Sequence, residues 1–115
     1  MELKQMHKAI PALEKARELK PTEPVTYYHL AKVYNESRQY GKTIEIAAAG
    51  VKVSKNPAGL YCYWGKALEK MERFDEAIEK FQMAEHDAQY GAYAAKQIRR
   101  QGDLKKIAQM KKEQL

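Results

Sequence analysis

The sequence predicts an all-α fold, a solenoid built from antiparallel helix pairs. The main observation is an internal repeat: when the chain is laid on itself so that Tyr27 aligns with Tyr61, Ile44 aligns with Ile78. Apolar residues also recur at helical spacing, and no segment shows the alternation typical of a β-strand. A fixed period, here the offset from Tyr27 to Tyr61, is typical of repeat arrays, in which each unit is too small to bury its apolar face alone. Such arrays usually present binding surfaces.

Residues 1–23 are predicted to contain the first helix, which ends before a turn at residues 21–24. Its apolar stripe has helical spacing and consists of Leu3, Met6, Ala9, Ile10, Leu13 and Ala16. Pro11 lies inside this helix, where we expect it to remove one hydrogen bond or to kink the backbone.

Residues 24–57 are predicted to form the first complete helix pair. Its first helix should span residues 24–37, because Pro24 suits a first helical turn, where a missing N–H costs little. Its second helix should begin at about Lys42 and end before Pro57, since the residue preceding a proline is pushed out of the helical region.

Residues 58–91 are predicted to form a second pair, with helices over residues 58–71 and over 75 to about 85. We expect Asp75 to cap the second of these helices, because a carboxylate oxygen can accept hydrogen bonds from free N–H groups of the first turn.

Residues 92–115 are predicted to form a C-terminal cap, because the end of an array needs a polar outer face. Within this region we expect one helix up to Gln101, a stop at Gly102, and a second helix over residues 104–114 with Asp103 as its N-cap. A diverged further repeat is the alternative interpretation.

The repeated pattern of large and small residues resembles the tetratricopeptide repeat family. In residues 24–57 the matching positions are Tyr27, Leu30, Ala31, Tyr34, Tyr40, Thr43, Ala47 and Gly50. In residues 58–91 they are Tyr61, Trp64, Gly65, Leu68, Phe74, Ala77, Phe81 and Ala84. The resemblance implies a right-handed superhelix, with residues 1–23 as the second helix of a preceding, partial repeat. Lys55 and Gln89 depart from the pattern, because the family often closes a repeat there with Pro.

Small residues are expected where two helices cross. Helix axes about 8–10 Å apart leave no room for a large side chain at the crossing. Ala31, Gly50, Gly65 and Ala84 are therefore predicted to lie at crossings, and large aromatic residues should fill the gaps between them.

The resemblance also implies a binding site, because the first helices of such repeats line a concave face on which a partner peptide usually lies. The residues expected in this groove are Tyr28, His29, Lys32, Asn35, Cys62, Tyr63, Lys66, Lys96 and Arg100. Lys32, Lys66 and Arg100 are one period apart and should form a ladder of positive charge. An acidic segment or a C-terminal carboxylate of another protein would suit it. The alternative is that these are solvated side chains on a surface helix.

Catalytic, metal and cofactor sites are not expected. His7, His29 and His86 lie on different units and have no nearby cysteine pair or close carboxylate spacing. Cys62 and Lys66 share a helix face, so a cation there could lower the pKa of the thiol and make it reactive. The favoured interpretation is that Cys62 is a small packed residue. The sequence therefore predicts an adaptor or scaffold module and no enzyme.

The positive charge is concentrated near the C-terminus. From Lys96 onward seven basic residues stand against two acidic ones, which accounts for five of the six net positive charges. An alternative function is binding of single-stranded nucleic acid or an acidic surface through this end. Nucleic acid is disfavoured as a partner because acidic residues interrupt the rest of the chain.

No apolar run approaches the roughly 20 residues needed to span a bilayer. The N-terminal segment has no signal-peptide pattern, and the single cysteine excludes an internal disulfide, so a cytoplasmic location is expected. Because residues 3–19 match a second helix without its partner, we expect either a fragment of a longer array or pairing of this apolar face with another copy.

Overall fold

The computed structural model describes residues 3–114, and these residues form an all-α fold. Six helices follow one another along the chain: α1 (Leu3–Leu19), α2 (Pro24–Glu36), α3 (Tyr40–Val51), α4 (Ala58–Lys70), α5 (Phe74–Gln82) and α6 (Gly91–Glu113). Residues 3–114 contain no β-strand. Each helix packs against the next one, and α2 also packs against α4. The predicted helical class and sequential packing are therefore confirmed.

The molecule is elongated, as expected when each helix packs mainly against the next helix in the chain. Its dimensions are 50 × 33 × 20 Å and its radius of gyration is 15.1 Å. A compact chain of this length would have a radius of gyration of about 13 Å. The apolar interior accordingly divides into two clusters along the long axis. One is centred on Leu30 and Ile46, and the other on Leu68 and Phe81.

Helix starts and turns share the offset seen in the sequence. Helices α2 and α4 begin at Pro24 and Ala58, one period apart, and α3 and α5 begin with the same offset at Tyr40 and Phe74. The turns between the helices match as well. The N–H of Gln39 donates a hydrogen bond to the carbonyl of Tyr34 at 2.9 Å. In the later turn, the N–H of Arg73 donates to the carbonyl of Leu68, also at 2.9 Å. Two pairs of helix starts and two turn hydrogen bonds thus share one offset along the chain.

The close crossings contain the small residues that the pattern predicted. A Cβ atom added to Gly65 would lie 2.7 Å from Cζ of Phe81, and one added to Gly50 would lie 2.7 Å from Cβ of Tyr27. Real Cβ atoms essentially never make contacts so short, so only glycine fits these positions without displacing a ring or a backbone. Because Gly50 lies near the end of α3 and Tyr27 near the start of α2, this contact also shows that the two helices pack antiparallel.

The apolar stripe of α1 is largely covered within the chain. Met6 is buried, and Ile10 and Leu13 pack against the aromatic cluster of α2 around Tyr27 and Tyr34. These three residues of the stripe are therefore covered within the chain, whereas Leu19 at the end of α1 is exposed. Helix α1 continues through Pro11 without a break.

Several predicted helix ends are wrong. Helix α3 begins at Tyr40 and α5 at Phe74, so Asp75 lies in the first turn and the N-cap is Arg73. Helix α5 ends at Gln82. An acidic residue in a first turn favours the helix by interacting with the dipole, which explains why Asp75 was mistaken for the cap.

The C-terminal region is one helix and not two. Helix α6 continues through Gly102, and Asp103 lies inside it. Glycine costs only about 1 kcal/mol in a helix interior. Contacts on both sides outweigh this cost: Gln101 is fully buried, and Lys105 Nζ lies 2.9 Å from both carboxylate oxygens of Asp75.

Candidate functional site

A cavity lies where α2 and α4 meet the start of α6. Its volume is about 310 Å³, and we call it the tyrosine cavity. Its walls are Tyr28, Gly59, Cys62, Tyr63, Lys66, Gln89, Tyr90 and Tyr93. Four of the nine residues predicted for the groove lie here together: Tyr28, Cys62, Tyr63 and Lys66.

The rings of the cavity are held by one another. Tyr28 and Tyr63 meet edge to face, with ring centroids 5.4 Å apart and an angle of 67° between the planes. The hydroxyl of Tyr90 donates to the hydroxyl of Tyr28 at 3.4 Å. Gly59 makes this approach possible, because a Cβ there would lie 2.9 Å from Cε2 of Tyr28 and 3.0 Å from the Tyr90 oxygen.

Tyr90 is placed by the turn that precedes α6. The carboxylate of Asp87 accepts hydrogen bonds from the N–H groups of Gln89 and Tyr90, both at 2.8 Å. The N–H of Gly91 donates to the carbonyl of Asp87, also at 2.8 Å. These bonds fix the chain just before α6 and direct the Tyr90 ring towards Tyr28.

Three tyrosines of the cavity, Tyr63, Tyr90 and Tyr93, stay protonated at neutral pH because their pKa values are raised. Burial, followed by a hydrogen bond with Tyr28, raises the pKa of Tyr63 well above its ordinary value. The hydrogen bond with Tyr28, followed by burial, raises the pKa of Tyr90 to about 12, and burial raises the pKa of Tyr93 to about 12. The cavity therefore offers neutral rings and hydroxyl groups.

Cys62 is a packed thiol. It is only 5% exposed, and burial raises its pKa to about 11, with a further contribution from the negative charge of Asp87. Lys66 acts in the opposite direction but is the smallest of the three causes. Burial and the raised pKa thus favour the interpretation of Cys62 as a packed residue, because a thiol with a raised pKa is mostly protonated at neutral pH.

The predicted ladder of positive charge is interrupted at Arg100. The Arg100 Nε donates to Oε1 of Glu69 at 3.1 Å, so much of its charge is compensated within the chain. Lys32 is exposed and Lys66 half-buried, and neither forms a salt bridge with a carboxylate of residues 3–114. Lys66 Nζ lies 5.7 Å from the centroid of the Tyr63 ring. Two of the three predicted ladder residues, Lys32 and Lys66, therefore have no carboxylate partner within residues 3–114.

Glu69 joins α4 to α6. Its side chain is only 11% exposed, and Oε1 also accepts a hydrogen bond of 2.7 Å from Nε2 of the buried Gln101. Desolvation opposes ionisation here, but the hydrogen bonds from Arg100 and Gln101 prevail and lower the pKa of Glu69. This carboxylate therefore holds α6 against α4.

The other predicted groove residues lie outside the cavity. His29 is exposed and lies beside Tyr28, with ring centroids 5.8 Å apart. Asn35 is half-buried, and its Oδ1 accepts no hydrogen bond from the described residues. Lys96 lies on α6, away from the cavity wall. Three further residues of the cavity wall were not predicted from the sequence: Gly59, Gln89 and Tyr90.

The basic residues of α6 are of two kinds. Arg100 and Lys105 pair with acidic residues of the preceding helices. The others form no salt bridge within residues 3–114: Lys96, Arg99, Lys106, Lys111 and Lys112. Among the described residues there is no group of three or more His, Cys, Asp or Glu side chains placed to hold a metal ion. None of the helices in residues 3–114 is long and apolar enough to cross a membrane.

Comparison with known proteins gives no assignment. No protein-family model matches the chain, and no curated protein matches it significantly. The function has to be inferred from the residues and their arrangement.

Proposed function

We propose that this chain is an interaction module of the tetratricopeptide type, a right-handed superhelix whose concave face binds an acidic segment of a partner protein. In this proposal it acts as an adaptor or scaffold. The observation that carries the proposal is the tyrosine cavity with an unpaired lysine in its wall, located between helices that follow the repeat.

The face formed by α2 and α4 has the chemistry of a peptide-binding surface. Tyr28 and Tyr63 supply ring faces and hydroxyl groups, which contact apolar side chains and peptide groups alike. Lys32 and Lys66, one period apart, supply positive charge that no carboxylate of the described residues neutralises. Charge-assisted hydrogen bonds from such lysines favour a segment rich in Asp and Glu or one that ends in a carboxylate.

The same residues favour binding over catalysis. The Cys62 thiol and the hydroxyls of Tyr63, Tyr90 and Tyr93 are neutral at physiological pH, because burial and hydrogen bonding raise their pKa values. The only ionised side chain in the cavity wall is Lys66, and it has no general base beside it in the wall. What the cavity offers is contact surface and one positive charge.

The proposal is tested by selecting binders from a library of random displayed peptides and titrating the enriched peptides by fluorescence anisotropy. We expect enrichment of acidic peptides, and we expect the double variant K32E/K66E to bind them about tenfold more weakly or worse. The matched control is K52E/K55E, which makes the same change in net charge at two exposed lysines outside the cavity. Equal weakening by both variants would contradict a groove site, as would enrichment with no acidic bias.

A second candidate function is binding of single-stranded nucleic acid or another polyanion along α6. It is favoured by the unpaired basic residues Lys96, Arg99, Lys106, Lys111 and Lys112 of that helix. Titration with a labelled oligonucleotide at two salt concentrations tests it, because phosphate contacts weaken steeply as salt rises. The variant R99E/K106E should remove this binding while leaving the binding of acidic peptides unchanged.

A further inference from the structure

We propose that the tyrosine cavity receives one aromatic side chain of the bound segment and that a carboxylate next to that side chain pairs with Lys66. This inference rests on the proposed function and specifies its ligand, an acidic peptide with one aromatic anchor. The peptide is oriented by the difference in charge between the part of the cavity near Lys66 and the part near Tyr90.

The size of the cavity fits one large side chain. Its volume of about 310 Å³ lies at the lower end of the range of about 300–1,000 Å³ for small-molecule sites. A single planar ring can enter a space of this size. Interface energy is often concentrated in one aromatic residue that fills a pocket of this kind.

The walls of the cavity favour a ring over an aliphatic side chain. Tyr28, Tyr63, Tyr90 and Tyr93 contribute four rings to a single space. Aromatic pairs prefer edge-to-face or offset geometry, and the 67° angle between Tyr28 and Tyr63 leaves edges and faces turned in different directions. A fifth ring therefore finds both kinds of contact. The hydroxyl groups can also bond to the polar edge of an indole or phenol.

The charges around the cavity are asymmetric. Lys66 lines one part of the wall and forms no salt bridge with a described carboxylate. Asp87 lies next to Tyr90, where its carboxylate is held by two backbone N–H groups. Its negative charge acts on both Cys62 and Tyr90. An acidic residue of the ligand is therefore repelled from the Tyr90 end and attracted to the Lys66 end.

The cavity depends on residues that position its tyrosine rings, and this supports a role beyond packing. Gly59 lets two tyrosine rings approach the backbone of α4, and the turn around Asp87 positions one of those rings. The repeat does not account for this arrangement, because Tyr90 aligns with Asn56 one period earlier. The cavity is thus particular to this part of the chain.

The test uses the peptides selected from the random library and changes the ligand first. We expect the enriched peptides to share an aromatic residue with Asp or Glu beside it, and replacing that aromatic residue by Ala should weaken binding about tenfold to hundredfold. Replacing the neighbouring acid by its amide should weaken binding to the unchanged protein but not to Lys66→Met. Enriched acidic peptides that lack an aromatic residue, or tolerate its loss, would overturn the inference while leaving the proposed function intact.

Variants of the protein provide a second arm. Tyr90→Ala removes one wall and should weaken binding of the aromatic peptides about tenfold, whereas Tyr40→Ala, at a half-buried tyrosine on α3, should not. Circular dichroism checks that both variants fold. If Tyr90→Ala folds and binds as tightly as the unchanged protein, the cavity is not the site. If it does not fold, the ligand substitutions decide the question alone. Loss of all dependence on Lys32 and Lys66 would instead overturn the proposed function.

Discussion

Arg38 and Glu72 lie one period apart and occupy the same left-handed backbone conformation, with φ angles of 64° and 58°. Each follows the C-terminal end of a helix and precedes the start of the next one. A residue with a Cβ atom pays about 1–2 kcal/mol for this conformation, and glycine avoids most of that cost. Both turns therefore hold a strained residue whose side chain forms no hydrogen bond or salt bridge within residues 3–114.

Glycine at either position should stabilise the protein. We expect Arg38→Gly and Glu72→Gly each to raise the free energy of unfolding by up to about 1 kcal/mol, because relief of the left-handed strain exceeds the extra chain entropy of glycine. Urea denaturation measures the change. Arg38→Ala is the control, since it removes the side chain but keeps Cβ, and it should be nearly neutral. Destabilisation by both glycine variants would show that the turns are not left-handed.

These turns show where prediction from the sequence succeeds and where it fails. Helices α2 and α4 were placed almost to the residue because apolar spacing, Pro24 and the repeat all agree. The left-handed turns were not foreseen, because glycine is the residue that normally marks them and neither Arg38 nor Glu72 gives such a signal. Gly102 gave the opposite error: it looked like a helix end, but the contacts of Gln101 and Lys105 with other helices outweigh its weak local preference.

The candidate site was predictable only in part, for a similar reason. The resemblance to tetratricopeptide repeats placed Tyr28, Tyr63 and Lys66 on one face, and all three line the tyrosine cavity. Tyr90 was missed because it lies in a turn where the repeat does not hold. The pairing of Arg100 with Glu69 was missed because it joins helices that are distant in sequence, and no local pattern reports such a contact.

Gly65 should not tolerate a side chain. We expect Gly65→Ala to cost about 1–3 kcal/mol, because its Cβ would lie 2.7 Å from the Phe81 ring in a buried crossing. Thermal denaturation followed by circular dichroism measures the loss. The double variant G65A/F81L should recover part of it, since the smaller side chain leaves room for the new methyl group. Equal stability of Gly65→Ala and the unchanged protein would mean that α4 and α5 do not cross there.

Gly102 should behave in the opposite way. Nothing lies within 4 Å of the Cβ that alanine would add, and the position is inside α6. We therefore expect Gly102→Ala to stabilise the protein by up to about 1 kcal/mol and to increase its helical signal. If residues 91–101 and 104–114 were separate helices with a break at Gly102, the same change would destabilise the protein.

Glu69 should make stability depend on pH. Its pKa is lowered in the folded protein, so the stability that it contributes is complete above its unfolded pKa and is lost as pH falls through the folded value. We expect Glu69→Gln to destabilise the protein by about 1 kcal/mol or more at neutral pH. The difference between the two proteins should shrink as the solution is made acidic enough to protonate the carboxylate. Glu79→Gln, at an acid without a salt bridge in the described residues, is the control.

Cys62 should react slowly with thiol reagents in the folded protein. Its pKa is raised to about 11 by burial and the nearby Asp87, so the reactive thiolate is scarce at neutral pH. We expect labelling with a disulfide reagent to be at least about a hundredfold faster in urea than in buffer, and to accelerate in the folded protein as pH rises towards 11. Lys66→Met should change the folded rate little, because Lys66 contributes least to the pKa of the thiol. Rapid labelling of the folded protein at neutral pH would instead revive Cys62 as a nucleophile activated by Lys66.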